Sequence, residues 1–282
     1  MKFIHITDTH FAPPGEALYG LLPRSRLKPG IQAINREHPD AEFVVISGDL
    51  THRGEDAAYR NLRAVLDGLA LPYHLLLGNH DQRKGFRRVF PETPVDENDF
   101  VQYTVDTGAG VFVMLDTHQP GTEAGHLCEQ RLGWLARTLD EHAQRPVYLL
   151  MHHPPFPVGI VGMDAIALQQ VDAFAEVVGR HGDIRHLFYG HVHRPIAGSW
   201  RGIPHSTLPA INHQVALQLG PMDGVPGSHE PPAFGVVLLE DNSALVHTWY
   251  YSDTSARFSL SSAVAEAAQD LRALAPHRTD RN

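Results

Sequence analysis

A single cysteine, Cys128, in 282 residues excludes an intramolecular disulfide framework and makes a reducing compartment the natural setting. Positive charge is also scarce: 23 Lys and Arg stand against 32 Asp and Glu, a formal net charge of −9. No strongly basic face is therefore expected to neutralise a row of phosphates, so a long nucleic acid is not an expected partner, whereas a small phosphorylated molecule fits. No uncharged stretch approaches the roughly 20 apolar residues a bilayer span requires, and no membrane partner is expected. The first residues, KFIHITDTH, read as a strand reaching a carboxylate by Asp8 rather than as a secretory leader. A cytoplasmic protein is the expectation. Internal repeats and low-complexity segments are missing too, and a hydrophobic content of 43% suits a globular chain with a sizeable core.

What the chain has in excess is histidine: 20 residues, nearly as many as Lys and Arg combined. Neutral imidazole is the commonest metal ligand, so this excess asks for a location. Short apolar runs recur, and each stops at a residue of metal-binding type. KFIHITDTH runs into Asp8 and His10, AEFVVISGDL into Asp49, and PYHLLLGNHD into Asn79 and His80. GVFVMLDTH ends at Asp116, RPVYLLMHHPP at His152 and His153, and IRHLFYGHVH at His191 and His193. Runs of this length bounded by Gly or Pro read as buried strands.

Helical patterns lie between them. Ala58, Leu62, Leu66 and Leu69 form one stripe, Leu132, Leu135 and Leu139 a second, and Leu168, Val171, Phe174 and Val178 a third, which His181-Gly182 is expected to close. Alternating strands and helices predict an α/β layered fold whose ligands gather at the carboxyl ends of strands. Six strand ends carrying Asp, His and Asn are thus expected at one edge, around a shared metal site. The Pro- and Gly-rich stretch 219–235 reads as a loop. GVVLLE and ALVHTWYY, joined through Asp241-Asn242-Ser243, read as a hairpin at about 234–251. One domain over 1–260 is expected, with a C-terminal tail, 261–282, that is helical and then frayed.

Taken in order, these residues resemble the calcineurin-like metallophosphoesterases. The family pattern Asp-x-His, Gly-Asp, Gly-Asn-His-Asp/Glu, His and Gly-His-x-His stands here as Asp8-Thr9-His10, Gly48-Asp49, Gly78-Asn79-His80-Asp81, His152 and Gly190-His191-Val192-His193. The resemblance covers residues 8–193, and five blocks in order are far more specific than any one. It implies a four-layer α-β-β-α sandwich with two mixed β-sheets. GNHDQR with Arg83, HLCEQRLGWLARTL, MHHPPFPVGIVGMD and STLPAINHQ further resemble the branch that contains class III cyclic-nucleotide phosphodiesterases and bacterial glycerophosphodiesterases. Cys128 departs from that branch, which usually has Ser or Thr at this helix start; a thiol is a poor acceptor for the free helix N–H groups.

Carried over residue by residue, the resemblance places one metal on Asp8, His10, Asp49 and His193. It places a second on Asp49, Asn79, His152 and His191, with Asp49 bridging. Nitrogen and oxygen ligands without thiolate suit Mn, Fe or Zn. Metal binding lowers the pKa of water from 15.7 toward about 7, and the resulting hydroxide would attack phosphorus in line. His80 is expected to contact the phosphate or assist the leaving oxygen, with Asp81 orienting its ring. Arg83, Asn79 and His193 are further substrate contacts.

The implied activity is hydrolysis of small-molecule phosphodiesters: 3′,5′- or 2′,3′-cyclic nucleotides, or glycerophosphodiesters. The alternatives are a monoesterase, protein phosphatase or DNA nuclease of the same superfamily, and a non-catalytic metal scaffold. Negative charge argues against DNA, and retention of His80 with every ligand argues against a scaffold. Association into a homo-oligomer is compatible with these features. Outside the pattern, His153 reads as a support for the ligands, Asp116 and His118 as strand termination and turn, and His5 and His74 as core histidines. His126, Asp164, Asn212 and His213 lie in segments that either rim the pocket or form ordinary loops.

Overall fold

Each of the six apolar runs forms a strand, and each owes its place to which face its alternate side chains bury. The computed structural model describes residues 1–220 and 224–260, so the expected tail, 261–282, lies outside the described residues. The chain begins with β1 (Lys2–Ile6), α1 (Pro23–Glu37), β2 (Val44–Ser47), α2 (Asp56–Leu66), β3 (Tyr73–Leu76) and α3 (Arg83–Val89). It continues with β4 (Tyr103–Thr107), β5 (Gly110–Met114), α4 (Glu129–Glu141), β6 (Val147–Leu150), α5 (Val161–Asp164), α6 (Val171–Val178) and β7 (Ile184–Phe188). Then follow β8 (Ile196–Trp200), β9 (Ile203–Thr207), β10 (Gln214–Val215), β11 (Gly227–Ser228), β12 (Phe234–Glu240) and β13 (Ser243–Trp249). Met1–Ser252 make one compact unit and Asp253–Asn282 another; in the described part of the latter, Asp253 accepts from the Ser255 N–H and hydroxyl.

Two mixed sheets result. The first has the order β13-β12-β1-β2-β3, with β1, β2 and β3 parallel and the hairpin strands antiparallel. The second has the order β4-β5-β6-β7-β9-β8, with β5, β6, β7 and β9 parallel and an antiparallel strand at each edge. Parallel neighbours need long crossovers. Here α1, α2, α4 and α6 lie in sequence between successive parallel strands. β12 and β13 meet across the two-residue turn Asp241-Asn242, with Glu240 opposite Ser243.

The period-2 alternation of strand side chains builds the layers. In the second sheet Phe112, Met114, Tyr148, Leu150 and Phe188 pack into one core with Phe3, Phe43 and the residues of α1 and α2. Their neighbours Val111, Val113, Leu115, Val147, Leu149 and Met151 face the other way, onto Leu135, Leu139, Phe174 and Val178 of α4 and α6. The order is therefore helices, sheet, sheet, helices, the four-layer α-β-β-α sandwich that the resemblance implies. Between the sheets, Phe3 meets Phe112 and Phe188 edge-on at 5.1 and 5.4 Å and tilts against Phe43 at 5.5 Å. His5 is a core histidine whose Nε2 pairs with Ser47 Oγ at 2.8 Å, and burial pushes its pKa down to about 3.

Three local details differ from the sequence expectation. The third helix starts at Val171 rather than Leu168 and ends at Val178, with Gly179 as its C-cap; His181-Gly182 lie beyond it. The chain leaves through tighter turns, Arg180 and His181 donating to the carbonyls of Val177 and Val178. α2 stops at Leu66, and Leu69 is held by a turn to the Leu66 carbonyl. The stretch 219–235 is not all loop, since Gly227 and Ser228 pair with Val215 and Gln214 as a short ribbon.

Because Phe3 joins both sheets and is fully buried, Phe3→Ala should cost about 3–5 kcal/mol, the usual range for an aromatic core truncation. A urea titration checks this through a large fall in midpoint; a fall comparable with that of an exposed substitution such as Leu245→Ala would contradict the inter-sheet role.

Candidate metal centre

The parallel strands of both sheets deliver their carboxyl ends to one edge, and the loops leaving them are unusually contorted. Asp8, His10, Asp49, His191 and His193 all have positive φ, between 43° and 71°. Left-handed backbone at a non-glycine residue costs of order 1–3 kcal/mol each and persists where surrounding contacts over-determine it. Those contacts are present. Asp8 N–H donates to the Gly48 carbonyl, His10 N–H to the Asp49 carbonyl at 2.8 Å, and His191 N–H to the Asp8 carboxylate at 3.2 Å. Gly78 and Gly190 allow the loops to touch: a Cβ on Gly78 would collide with Asp49 Oδ1, and one on Gly190 with Thr7 Oγ1.

Two groups of donors converge around Asp49. His193 Nε2 lies 3.2 Å from Asp8 Oδ1, His10 Nε2 lies 3.4 Å from Asp49 Oδ2, and the two imidazole nitrogens are 3.0 Å apart. On the other side His152 Nε2 lies 3.4 Å from Asp49 Oδ1 and 3.2 Å from Asn79 Oδ1, which is 3.1 Å from His191 Nδ1. Donors bound at about 2.0–2.2 Å to one ion stand roughly 3–3.5 Å from each other. Asp49 thus offers one oxygen to each group. The buried His191 Nε2 has no hydrogen-bond partner among the described residues. The donor set, four imidazoles, two carboxylates and an amide oxygen, fits a pair of first-row metal ions.

Partners behind the donors orient them. His193 Nδ1 faces the His213 carbonyl and His152 Nδ1 the Ser47 carbonyl, each at 2.8 Å, which turns both Nε2 atoms toward the centre. Burial opposes charge on Asp49, but His152, His80 and His10 outweigh it and hold the carboxyl well below its usual range. Burial likewise opposes charge on His152, yet Asp49 and Asp8 lift its pKa to about 9. Burial keeps His10 and His191 neutral, the form a metal requires.

Two expected roles are corrected by the contacts. Asp81 does not orient the His80 ring. Its buried carboxylate instead accepts the N–H groups of Leu50, Thr51 and Gly78 and the Tyr59 hydroxyl at 2.9–3.1 Å, clamping the loop of Asp49 to the loop of Asn79. The His80 ring is oriented by the His52 carbonyl, 2.8 Å from Nδ1. Arg83 is not a substrate contact. Its guanidinium forks onto Asp116 at 2.6 and 2.8 Å, because a fully buried carboxylate demands a partner. Asp116 is accordingly a structural strand end; it also accepts from the N–H groups of Val101 and His118.

Other candidates separate cleanly. His153 is satisfied behind the centre, with Thr117 Oγ1 2.7 Å from Nδ1 and the Glu123 carbonyl 3.2 Å from Nε2. Asp164 closes its own loop by accepting from Val158 and Gly159 N–H. His126 donates its N–H to the Thr117 carbonyl and does not line the cavity. Asn212 is buried beside His213, whereas His213 itself lines the cavity. The cavity over the centre measures about 450 Å³ and exposes His10, Asp49, Asn79, His80, His191 and His193. Tyr19, His52 and Glu123 also line it, and no sequence signal singles them out as site residues. His52 lies three residues past Asp49, within reach of a search around that block; nothing in sequence flags Glu123.

The Asp49 and Asp116 contacts yield a separation of effects. Arg83→Ala should destabilise the fold by about 1–3 kcal/mol, because the buried Asp116 carboxylate loses its forked partner but keeps the N–H groups of Val101 and His118 and the nearby Arg131, while the folded protein keeps its metal content. Asp49→Ala should lose both metals. Thermal unfolding with elemental analysis checks the pair; two metals per chain retained in the Asp49 variant would contradict its shared position.

A family model described as calcineurin-like phosphoesterase matches residues 1–195. A Rhodopseudomonas palustris protein named as a probable cyclic nucleotide phosphodiesterase is 45% identical over 268 residues, covering 94% of this chain and 98% of that protein. Glycerophosphodiester phosphodiesterase GpdQ of Enterobacter lignolyticus is 33% identical, covering 76% of this chain and 79% of its own length. In structure, a dimetal phosphatase from Danio rerio superimposes with a TM-score of 0.66 at 18% identity, covering 89% of this chain and 96% of that one. The chain belongs to the calcineurin-like phosphoesterase family.

Proposed function

We propose that this chain hydrolyses small-molecule phosphodiesters at a binuclear metal centre held by Asp8, His10, Asp49, Asn79, His152, His191 and His193. The observation that carries this reading is the Asp49 carboxylate, which offers one oxygen to each of two donor groups on the floor of an open cavity. The nitrogen and oxygen donors support Mn, Fe or Zn. Two such ions, when bound, make water nucleophilic near neutral pH and offset charge on the phosphoryl oxygens.

The chain's own groups supply the rest. Water gives up a proton to solvent as its oxygen forms a bond to phosphorus, the bond from phosphorus to the leaving oxygen breaks, and His80 gives that oxygen a proton and is reprotonated from solvent. His80 suits this role because its Nδ1 is held at the His52 carbonyl while the side chain remains partly open to the cavity. The far wall is apolar and aromatic: Tyr19, Met163, Ile166, Val215, Val225 and Pro226 line it. Such a wall suits the sugar, base or glycerol of a cyclic nucleotide or glycerophosphodiester, the substrate classes in the names of the relatives. Among the described residues, neither Lys nor Arg lines this cavity. Arg83 is tied to Asp116, and Arg194 to the Val215 carbonyl and Glu230. With no Lys or Arg among the described lining residues to hold a second negative charge, diesters are favoured over monoester dianions.

His80→Ala should retain both metals and lose kcat by roughly 10²–10⁴-fold, the usual range for a general acid. A substrate with a low-pKa leaving group should recover part of that loss; equal defects for poor and good leaving groups would remove the proton from His80. In the native protein, kcat/KM for bis(p-nitrophenyl) phosphate should exceed that for p-nitrophenyl phosphate by at least about tenfold, or 1.4 kcal/mol. Comparable efficiencies at saturating metal would favour a general phosphatase.

A further inference from the structure

Among the described residues lining the cavity, one carboxylate stands besides Asp49, that of Glu123. Its position is built rather than incidental. The Glu123 carbonyl lies 3.2 Å from Nε2 of the buried His153, whose Nδ1 is 2.7 Å from Thr117 Oγ1. Two residues on, Gly125 bridges to Leu168, and a Cβ there would collide with the His153 ring. The backbone at and just after Glu123 is therefore anchored to groups behind the metal centre. At its head, Glu123 Oε2 accepts from Asn79 Nδ2, and it lies 3.9 Å from His80 Nε2. Asn79 has its Oδ1 turned to His152 and His191, so its amide must point outward, and Glu123 receives it. A fixed negative charge thus stands beside the side chains that face an incoming phosphate.

We propose that Glu123 is a charge filter, admitting phosphodiester monoanions and disfavouring phosphomonoester dianions, the reaction's own product among them. The inference rests on the phosphodiesterase reading above and deepens it. A diester brings one negative charge to the centre. A monoester or inorganic phosphate brings nearly two near neutral pH, and the second charge meets Glu123 with no Lys or Arg among the described lining residues to offset it. Hydrolysis of a diester creates such a dianion in place, because the attacking water leaves an additional ionisable oxygen on phosphorus. The same carboxylate that rejects monoesters as substrates therefore speeds their departure as products. The Glu123 side chain is 62% exposed, so solvent screens part of the repulsion. An effect of about tenfold is expected rather than the much larger one a buried charge would exert.

Glu123→Gln tests the charge alone, since its amide oxygen still accepts the Asn79 N–H group. With metal content equalised, the variant should raise the ratio of kcat/KM for p-nitrophenyl phosphate over bis(p-nitrophenyl) phosphate by about tenfold. The two substrates share one leaving group, so a change in proton donation by His80 acts on both. Calorimetric titration of the metal-loaded protein with inorganic phosphate at about pH 8 should show binding tightened by a similar factor. A ratio and an affinity both within twofold of the native values would overturn the filter. So would a rise seen in Glu123→Ala but not in Glu123→Gln, which would assign the effect to bulk or to the Asn79 contact. A native protein without diesterase turnover would overturn the function proposed above, while the phosphate titration would still decide the filter.

Discussion

One carboxylate shared between two sets of donors governs the structure around it. Asp49 turns Oδ2 toward His10 and Oδ1 toward His152, and Oδ1 also receives the His80 N–H at 3.0 Å. To reach both sets, Asp49 adopts a left-handed backbone between Gly48 and Leu50, and Gly78 must lack a side chain to let it pass. Asp81 then holds the result, because its carboxylate gathers N–H groups from the loops on either side. The glycines and the aspartate of the sequence blocks are thus explained by one approach of two loops.

Holding so many polar groups out of water is costly unless each has a partner. Asp8, Asp49, Asp81 and Asp116 are all essentially buried, and every one accepts several hydrogen bonds or faces histidines. The five left-handed residues among the ligand loops add backbone strain, at about 1–3 kcal/mol apiece. The aromatic core between the sheets, centred on Phe3, Phe43, Phe112 and Phe188, offsets this by tying the layers together. Stability arises in the sandwich and is drawn down at its edge.

The allocation of charge follows the same logic. Arginines near the centre are committed elsewhere: Arg83 to Asp116, and the buried Arg131 to the carbonyls of Asp116 and His118. Phe100 lies against both guanidinium groups, at 5.0 and 4.7 Å. These cations stiffen the floor behind the cavity without entering it. Attraction for phosphate is left to the metal centre, and the nearby carboxylate of Glu123 sets how much negative charge that centre accepts.

Strand ends and most of each helix stripe were legible in the sequence because their signals are local, whereas the seven expected donors were named through the family resemblance. An apolar run reports burial through its length, and a ligand block reports itself through spacing within one loop. The α-β-β-α order followed from resemblance to a family whose blocks stand complete here. Contacts between loops far apart in the chain were not legible. Arg83 sits two residues past Asp81 and looked available, yet its partner Asp116 arrives from the other sheet. Asp81 follows His80 directly, but the turn between them sends its carboxylate back under Asp49 while the His52 carbonyl takes the ring. Glu123 carries no motif, and only the anchoring by His153 brings it to Asn79. Sequence by itself determined where the apolar runs end in Asp, His and Asn; tertiary packing decided which charges remain free to meet a substrate, because pairing a buried charge depends on what lies across space rather than along the chain.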